Sequence, residues 1–127
     1  MYASDALRNT LATALKNEID GIGLTDADGA IGAVGALVAD MSDTTDTIQW
    51  SETDPGKLDL NADMTFTITV SNGPVTVRGW RAYAEEAEAP DEILAGADFP
   101  VSESFNASGE YTLKADGTFI EIDVPGV

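Results

Sequence analysis

The sequence predicts a mainly β protein, an antiparallel, jelly-roll-like β-sandwich led by one N-terminal α-helix. Near the N-terminus an apolar residue recurs every fourth position, which is typical of a helix. From residue 47 onward apolar residues alternate with polar ones, and Gly, Asn, Asp or Pro interrupts them about every ten residues, as in sandwich strands. The 127 residues contain no repeat or linker. We therefore expect one domain, with residues 1–21 as helix, 22–46 as a variable loop region and 47–127 as sandwich.

The helix is predicted from its apolar positions, which are Leu7, Leu11, Leu15 and Ile19. Ser4 or Asp5 is expected to cap its first turn, and Gly21 is expected to end it. The narrow apolar stripe must be covered by other apolar side chains, either those of the domain's own sheet or those of a neighbouring subunit. The stripe itself does not distinguish these two partners.

The segment 22–46 has a weaker pattern. Three glycines interrupt a mildly apolar run over residues 30–39, and each would destabilise a helix by roughly 1 kcal/mol relative to alanine. The run is compatible with a buried loop, a short strand or a marginal helix. Residues 40–46 are polar and are expected to form a loop.

Alternation predicts strands at 48–50, 58–60, 64–70, 75–83, 93–101, 111–113 and 119–124. The Asn72-Gly73 pair is a strong turn signal, so the strand that begins at Val75 is expected to return along the one before it. A turn over 115–118 similarly predicts a last hairpin. Asp54-Pro55-Gly56 and Asp116-Gly117 are also expected to be turns.

The net charge of the chain limits the classes of molecule that it can bind. The chain has 23 acidic and six basic residues, a net charge of −17, which disfavours nucleic acid, heparin-like polymers and anionic membranes. Since 43% of the residues are hydrophobic and well patterned, the charge does not indicate disorder. The chain has more Asp than Glu, as proteins of halophilic archaea do. In those organisms strong salt screens the repulsion between the acidic side chains of one protein. The alternative is an ordinary acidic surface. Neither a membrane-spanning run of ~18 apolar residues nor a secretory signal pattern is found.

The chain lacks both cysteine and histidine, which excludes disulfides, thiolate metal sites and the commonest general base. Asp26-Ala27-Asp28-Gly29 begins like a calcium loop, but its glycine comes at the fourth place and Leu37 occupies the twelfth. The acidic run over 85–88 is typical of a solvated loop rather than a glycosidase pair. We therefore expect no enzyme, no catalytic or metal residues and no cofactor, although clustered carboxylates are compatible with a weakly held Ca²⁺ or Na⁺.

Large aromatic and basic residues lie close together in the strand over 75–83. These residue types dominate interface hot spots and also stack on sugars, whereas the alternative is that the tryptophans are core residues and the arginines form ion pairs. If Val75 and Val77 face the core, alternation places Trp80 outward beside Arg78. The candidate interface residues are therefore Leu7, Leu11, Leu15, Arg78, Trp80, Arg81 and Tyr83.

Seven short segments follow one another along the chain in an order that resembles a known protein family. They are the helix over 7–19, Ile22-Gly23-Leu24-Thr25, an acidic and glycine-rich loop, Ile48-Gln49-Trp50, Met64-Thr65-Phe66-Thr67-Ile68, the strand over 75–83, and Gly109-Glu110-Tyr111-Thr112-Leu113. In this order the chain resembles small virion proteins of tailed phages and tailed archaeal viruses, the tail-fibre-like, minor tail or head-decoration proteins. It departs from them over 30–39 and in the acidic insertion before Pro90.

The resemblance implies a jelly-roll-like sandwich without catalysis. It also implies a homo-oligomer on the virion that contacts other capsid or tail proteins, and with the acidic surface it suggests a haloarchaeal tailed virus. The competing hypotheses are a carbohydrate- or receptor-binding sandwich and, less compatible with the lack of His and Cys, an enzyme.

Overall fold

The computed structural model describes residues 4–26, 37–42, 50–84 and 92–122. The protein is mainly β, with antiparallel sheets and one N-terminal helix, so the predicted fold class is confirmed. The elements are α1 (Asp5–Glu18), β1 (Gly21–Thr25), β2 (Leu37–Ser42), β3 (Trp50–Asp54), β4 (Lys57–Leu60), β5 (Met64–Ile68), β6 (Val75–Ala84), β7 (Glu92–Phe105), β8 (Gly109–Leu113) and β9 (Phe119–Glu121).

The described strands form three antiparallel sheets, ordered β2-β1-β6-β7, β3-β4-β9 and β5-β8. One continuous hydrophobic core contains side chains from all three sheets and from the helix. The four-stranded sheet therefore forms one layer of the sandwich, and the two smaller sheets face it. The larger core residues are Ile22, Leu24, Trp50, Leu58, Leu60, Met64, Phe66, Ile68, Val77, Trp80, Leu113 and Ile120.

The helix begins as predicted and ends earlier than predicted. Ser4 is the N-cap, and its Oγ accepts a hydrogen bond from the Leu7 N–H at 3.1 Å. The last helical residue is Glu18, after which Ile19 is extended and the Asp20 N–H donates to the Tyr83 carbonyl at 2.8 Å. Because this bond leads the chain directly into the sheet, Gly21 is not the helix stop but the first residue of β1.

The described part of the region 22–46 lies in two strands, β1 and β2. β1 agrees with the strand that the resemblance implies at 22–25. β2 includes Asp40, so the prediction that a polar loop begins there is wrong. Ala39 and Met41 pair with core residues of β1 and pack against the core, while Asp40 on the opposite face accepts a hydrogen bond from the Tyr83 hydroxyl at 3.1 Å. Residues 27–36 and 43–49, including most of the calcium-loop-like motif, lie outside the described residues.

Turns form where the sequence predicts them, but two predicted hairpins are wrong. Gly56, Gly73 and Gly117 have positive φ angles of 72°, 121° and 91°, as their turns require. The first of these turns joins β3 to β4, which pair. By contrast β5 pairs with β8 instead of β6, and β9 pairs with β4 instead of β8. These connections cross between layers, because each sheet must bury its apolar face against the other layer.

At Arg78 the alternation of strand β6 is interrupted, so that a different set of its side chains faces the core after this point. Val77 pairs with Glu103 and Gly79 pairs with Asp98, so the four residues 99–102 of β7 lie opposite Arg78 alone. This irregularity allows both Val77 and Trp80 to enter the core, although three positions separate them. Trp80 is only 4% exposed, so the prediction that it faces outward beside Arg78 is wrong.

We expect Trp80→Ala to lower the free energy of unfolding by about 3–5 kcal/mol, because it removes a large buried ring that packs against Trp50 at a centroid distance of 6.0 Å. The matched control is Val101→Ala, at a side chain that is 80% exposed, which we expect to change stability by less than about 0.5 kcal/mol. Urea denaturation measures both. Wild-type stability in Trp80→Ala would show that the ring is not part of the core.

Candidate functional site

The four candidate residues of β6 do not form one exposed patch. Trp80 lies in the core, whereas Arg81 and Tyr83 lie on the opposite face of the four-stranded sheet and are also buried. Arg78 is half-buried at the irregularity. The described part of the chain therefore offers no aromatic platform for sugar stacking in this strand. Contact between these residues and another molecule stays a prediction.

Glycines make room for large side chains on the outer face of the four-stranded sheet. Gly21 pairs with Tyr83, and a methyl group at Gly21 would collide with the Tyr83 ring. Leu37 similarly covers Gly23. Arg81 lies across Gly96, where a methyl group would collide with the Trp80 carbonyl oxygen and the Arg81 side chain. The sheet therefore holds these side chains flat against its backbone.

Arg81 is 2% exposed, and its guanidinium makes three polar contacts. Its Nη1 donates to the carbonyl oxygens of Trp80, at 2.8 Å, and of Ala97, at 3.3 Å. Its Nη2 contacts Asp98 Oδ1 at 3.3 Å. Because a buried charge destabilises a fold unless it is paired and hydrogen-bonded, these contacts indicate a structural anchor between β6 and β7. Arg81 thus forms the kind of ion pair that was the alternative to an interface role, although it does so as a buried side chain.

The helix packs on its own domain and leaves part of its apolar stripe exposed. Ala12 and Ile19 are buried in the core, and Leu15 packs against it. Leu7 and Leu11 are 41% and 38% exposed. Both alternatives for the stripe therefore retain support: its C-terminal part covers the domain's own sheets, and its N-terminal part is accessible to a partner.

Polar contacts hold the helix against the β3–β4 hairpin. The Thr13 hydroxyl donates to Glu52 Oε1 at 2.5 Å, and Lys16 Nζ lies 4.0 Å from Glu52 Oε2. At the other end of the helix, the Gly56 N–H donates to Asn9 Oδ1 at 3.3 Å. These contacts fix the direction in which the exposed leucines point.

A groove of about 410 Å³ lies beside the helix, which contributes Leu15 to its lining. We call it the β7–β9 seam, because these two strands are its walls and each ends its sheet among the described strands. Phe119 is 43% exposed there, and Lys57 Nζ lies 4.6 Å from the centre of its ring. The lining residues are Leu15, Leu94, Ala95, Gly96, Phe119, Ile120, Glu121 and Ile122.

Of the predicted interface residues, only Leu15 lines the seam. Sequence reasoning missed Leu94, Phe119 and Ile122. For Phe119 a signal was present, since alternation that places Ile120 in the core places Phe119 outward. The closeness of β7 to β9 had no such signal, because these strands belong to different sheets.

A second groove, of about 400 Å³, lies between β2 and β5. Its lining residues include Thr65, Thr67 and Asp40. The two grooves therefore differ in chemistry, and the β7–β9 seam is the more apolar.

The perturbed ionisable groups lie outside the seam. A hydrogen bond from the Ala115 N–H, at 2.8 Å, and the nearby Lys114 ammonium lower the pKa of Asp63. Burial, together with the Glu103 carboxylate, raises the pKa of Tyr111. Within the described ranges, no three carboxylates come together in a metal-holding group. No helix there is long and apolar enough to cross a membrane.

Comparisons with protein-family models, with curated proteins and with solved structures find no match to this chain. The resemblance to small virion proteins therefore rests on the sequence motifs.

We expect Gly96→Ala to lower the free energy of unfolding by about 1–3 kcal/mol, because the new methyl group displaces Arg81 or the Trp80 carbonyl. The control is Gly109→Ala, on β8, where the nearest side-chain atom is 3.4 Å from the new methyl group and little change is expected. Denaturant unfolding compares the two variants. Equal stabilities would show that Arg81 does not lie against Gly96.

Asp63 predicts a specific pH dependence. Because its pKa is lower in the folded than in the unfolded chain, its contribution to stability is present above pH 3.8, the ordinary pKa, and is lost as the pH falls through the lower folded value. The difference in unfolding free energy between wild type and Asp63→Asn should therefore shrink below about pH 4. A difference that is constant from pH 7 to pH 2 would contradict this assignment.

Proposed function

We propose that this chain is a non-enzymatic structural component of a tailed virus particle, an accessory capsid-surface or tail protein that acts as a homo-oligomer. The observation that carries the proposal is a set of exposed apolar side chains on a very acidic protein. Leu7 and Leu11 are exposed on the helix, and Phe119 is exposed in the β7–β9 seam, which Leu15 of the same helix also lines. Grouped apolar side chains of this kind are typical of protein–protein contacts.

The motifs behind the resemblance support the same proposal. Residues 22–25 lie in β1, Trp50 begins β3, and Met64–Ile68 is β5. The Gly-x-Tyr-Thr-Leu segment, Gly109–Leu113, is β8 and pairs with β5. The motifs thus coincide with the strands that build the core, as expected if they specify the sandwich of these virion proteins.

Composition supports a role without catalysis and without nucleic acid. The chain has no histidine or cysteine, and its net charge of −17 repels phosphate backbones. A rigid sandwich with apolar contact surfaces suits repeated contacts between identical subunits and with neighbouring capsid or tail proteins. The acidic surface is compatible with assembly in strong salt, where the repulsion between subunits is screened.

The direct test is the protein composition of tailed virus particles purified from the source organism in multimolar salt. We expect mass spectrometry to find this chain in a constant ratio to the other virion proteins through successive density gradients. Dialysis to about 0.1 M salt, where the screening length grows to about 10 Å, should release part of it. Recovery of the chain only from the cell lysate, and not from particles, would contradict the proposal.

A further inference from the structure

The turn between β5 and β6 contains an asparagine followed directly by a glycine, Asn72-Gly73. Both residues are exposed, and Gly73 has a φ of 121°. A methyl group built at Gly73 would have no atom of another described residue within 4 Å. The pair therefore lies in open solvent, away from the rest of the described chain.

Hydrogen bonds within the described part of the chain do not restrain this pair. The Gly73 N–H is not a donor in the turns, caps and loops there, and the Asn72 amide has no polar contact. The Asn61 side chain differs, because its Oδ1 accepts a hydrogen bond from the Ser51 hydroxyl at 3.0 Å. The Asn72 side chain can thus rotate toward the Gly73 nitrogen without breaking a described contact.

Glycine also removes a steric barrier to that approach. The β-carbon of any other residue crowds its own backbone nitrogen, and glycine has none. Asn61 and Asn106 are likewise exposed and lie outside the strands, but each is followed by alanine. Of the five asparagines in the chain, only Asn72 precedes a glycine. Exposure, freedom from hydrogen bonds and an unhindered neighbouring nitrogen therefore coincide at Asn72.

We propose that Asn72 is a site of spontaneous deamidation in the folded protein. The Gly73 backbone nitrogen loses its proton to hydroxide and attacks the Asn72 Cγ. The N–Cγ bond forms, the Cγ–Nδ2 bond breaks, and Nδ2 leaves as ammonia. Water then opens the resulting succinimide at one of its two carbonyls, which gives aspartate or isoaspartate at position 72. Water is the only co-reactant, and no group is oxidised or reduced.

The products differ from asparagine in charge and in backbone length. Each conversion adds one negative charge to a chain whose net charge is −17, and the isoaspartate form also lengthens the main chain by one carbon. Because the turn is exposed and open, both products fit without displacing core side chains, so the modification accumulates on native protein. It depends on this chain alone and is independent of the proposed function.

The test is mass spectrometry of the purified full-length protein during incubation at neutral and at alkaline pH, with the zero-time sample as baseline. Trypsin cleaves after Lys57 and Arg78, so that Asn61 and Asn72 lie in one peptide and are compared directly. We expect Asn72 to lose its amide at least about tenfold faster than Asn61 or Asn106, because alanine hinders the attack at those two sites. The rate at Asn72 should rise with pH, since hydroxide removes the proton.

Asn72→Gln is the matched control, because it keeps a side-chain amide but places it one carbon farther along the side chain. Position 72 of this variant should stay unmodified over the same time. Incubation in guanidinium chloride gives the rate of the unfolded chain, and we expect Asn72 to react at a similar rate in the folded protein. An Asn72 that reacts only in the unfolded chain, or no faster than Asn61 in the folded protein, would overturn the proposal.

Discussion

The irregular pairing of β6 with β7 determines most of what lies on either side of the four-stranded sheet. Opposite Arg78, β7 contributes four residues, 99–102, and after this point the inward face of β6 changes. Val77 and Trp80 consequently both pack in the core, and Arg81 is directed to the outer face. A regular strand would have left either Val77 or Trp80 outside the core, so the burial of both side chains depends on the irregularity at Arg78.

The outer face shows how a sheet with a buried charge is stabilised. Gly21 and Gly96 provide space, Tyr83 and Arg81 fill it, and Asp40 and Asp98 accept their hydrogen bonds. In a chain with 23 acidic residues, the ion pair between Asp98 and Arg81 also offsets one negative charge. Of the described large apolar side chains that are exposed, Leu7 and Leu11 lie on the helix, Phe119 lies in the β7–β9 seam, and Val101 lies elsewhere on β7.

The local features of this fold follow from the sequence, and its long-range pairings do not. The cap at Ser4, the alternating strand at Met64–Ile68 and the turn glycines 56, 73 and 117 follow from propensities that act within a few residues. Turn residues show where the chain reverses direction, but they do not show which strands pair. The pairing of β5 with β8 therefore could not be predicted from them.

For the candidate site, the exposed leucines of the helix were predictable from their spacing. The inward position of Trp80 was not, because alternation breaks at the irregularity.

Acrylamide quenching of Trp80 fluorescence tests the central claim most directly, in a Trp50→Phe variant that leaves Trp80 as the one tryptophan of the chain. The account predicts that this ring, which is 4% exposed, is shielded from the quencher until the protein unfolds. Quenching that is as strong in the folded protein as in the unfolded chain would contradict it, because a regular β6 would leave Trp80 outside the core.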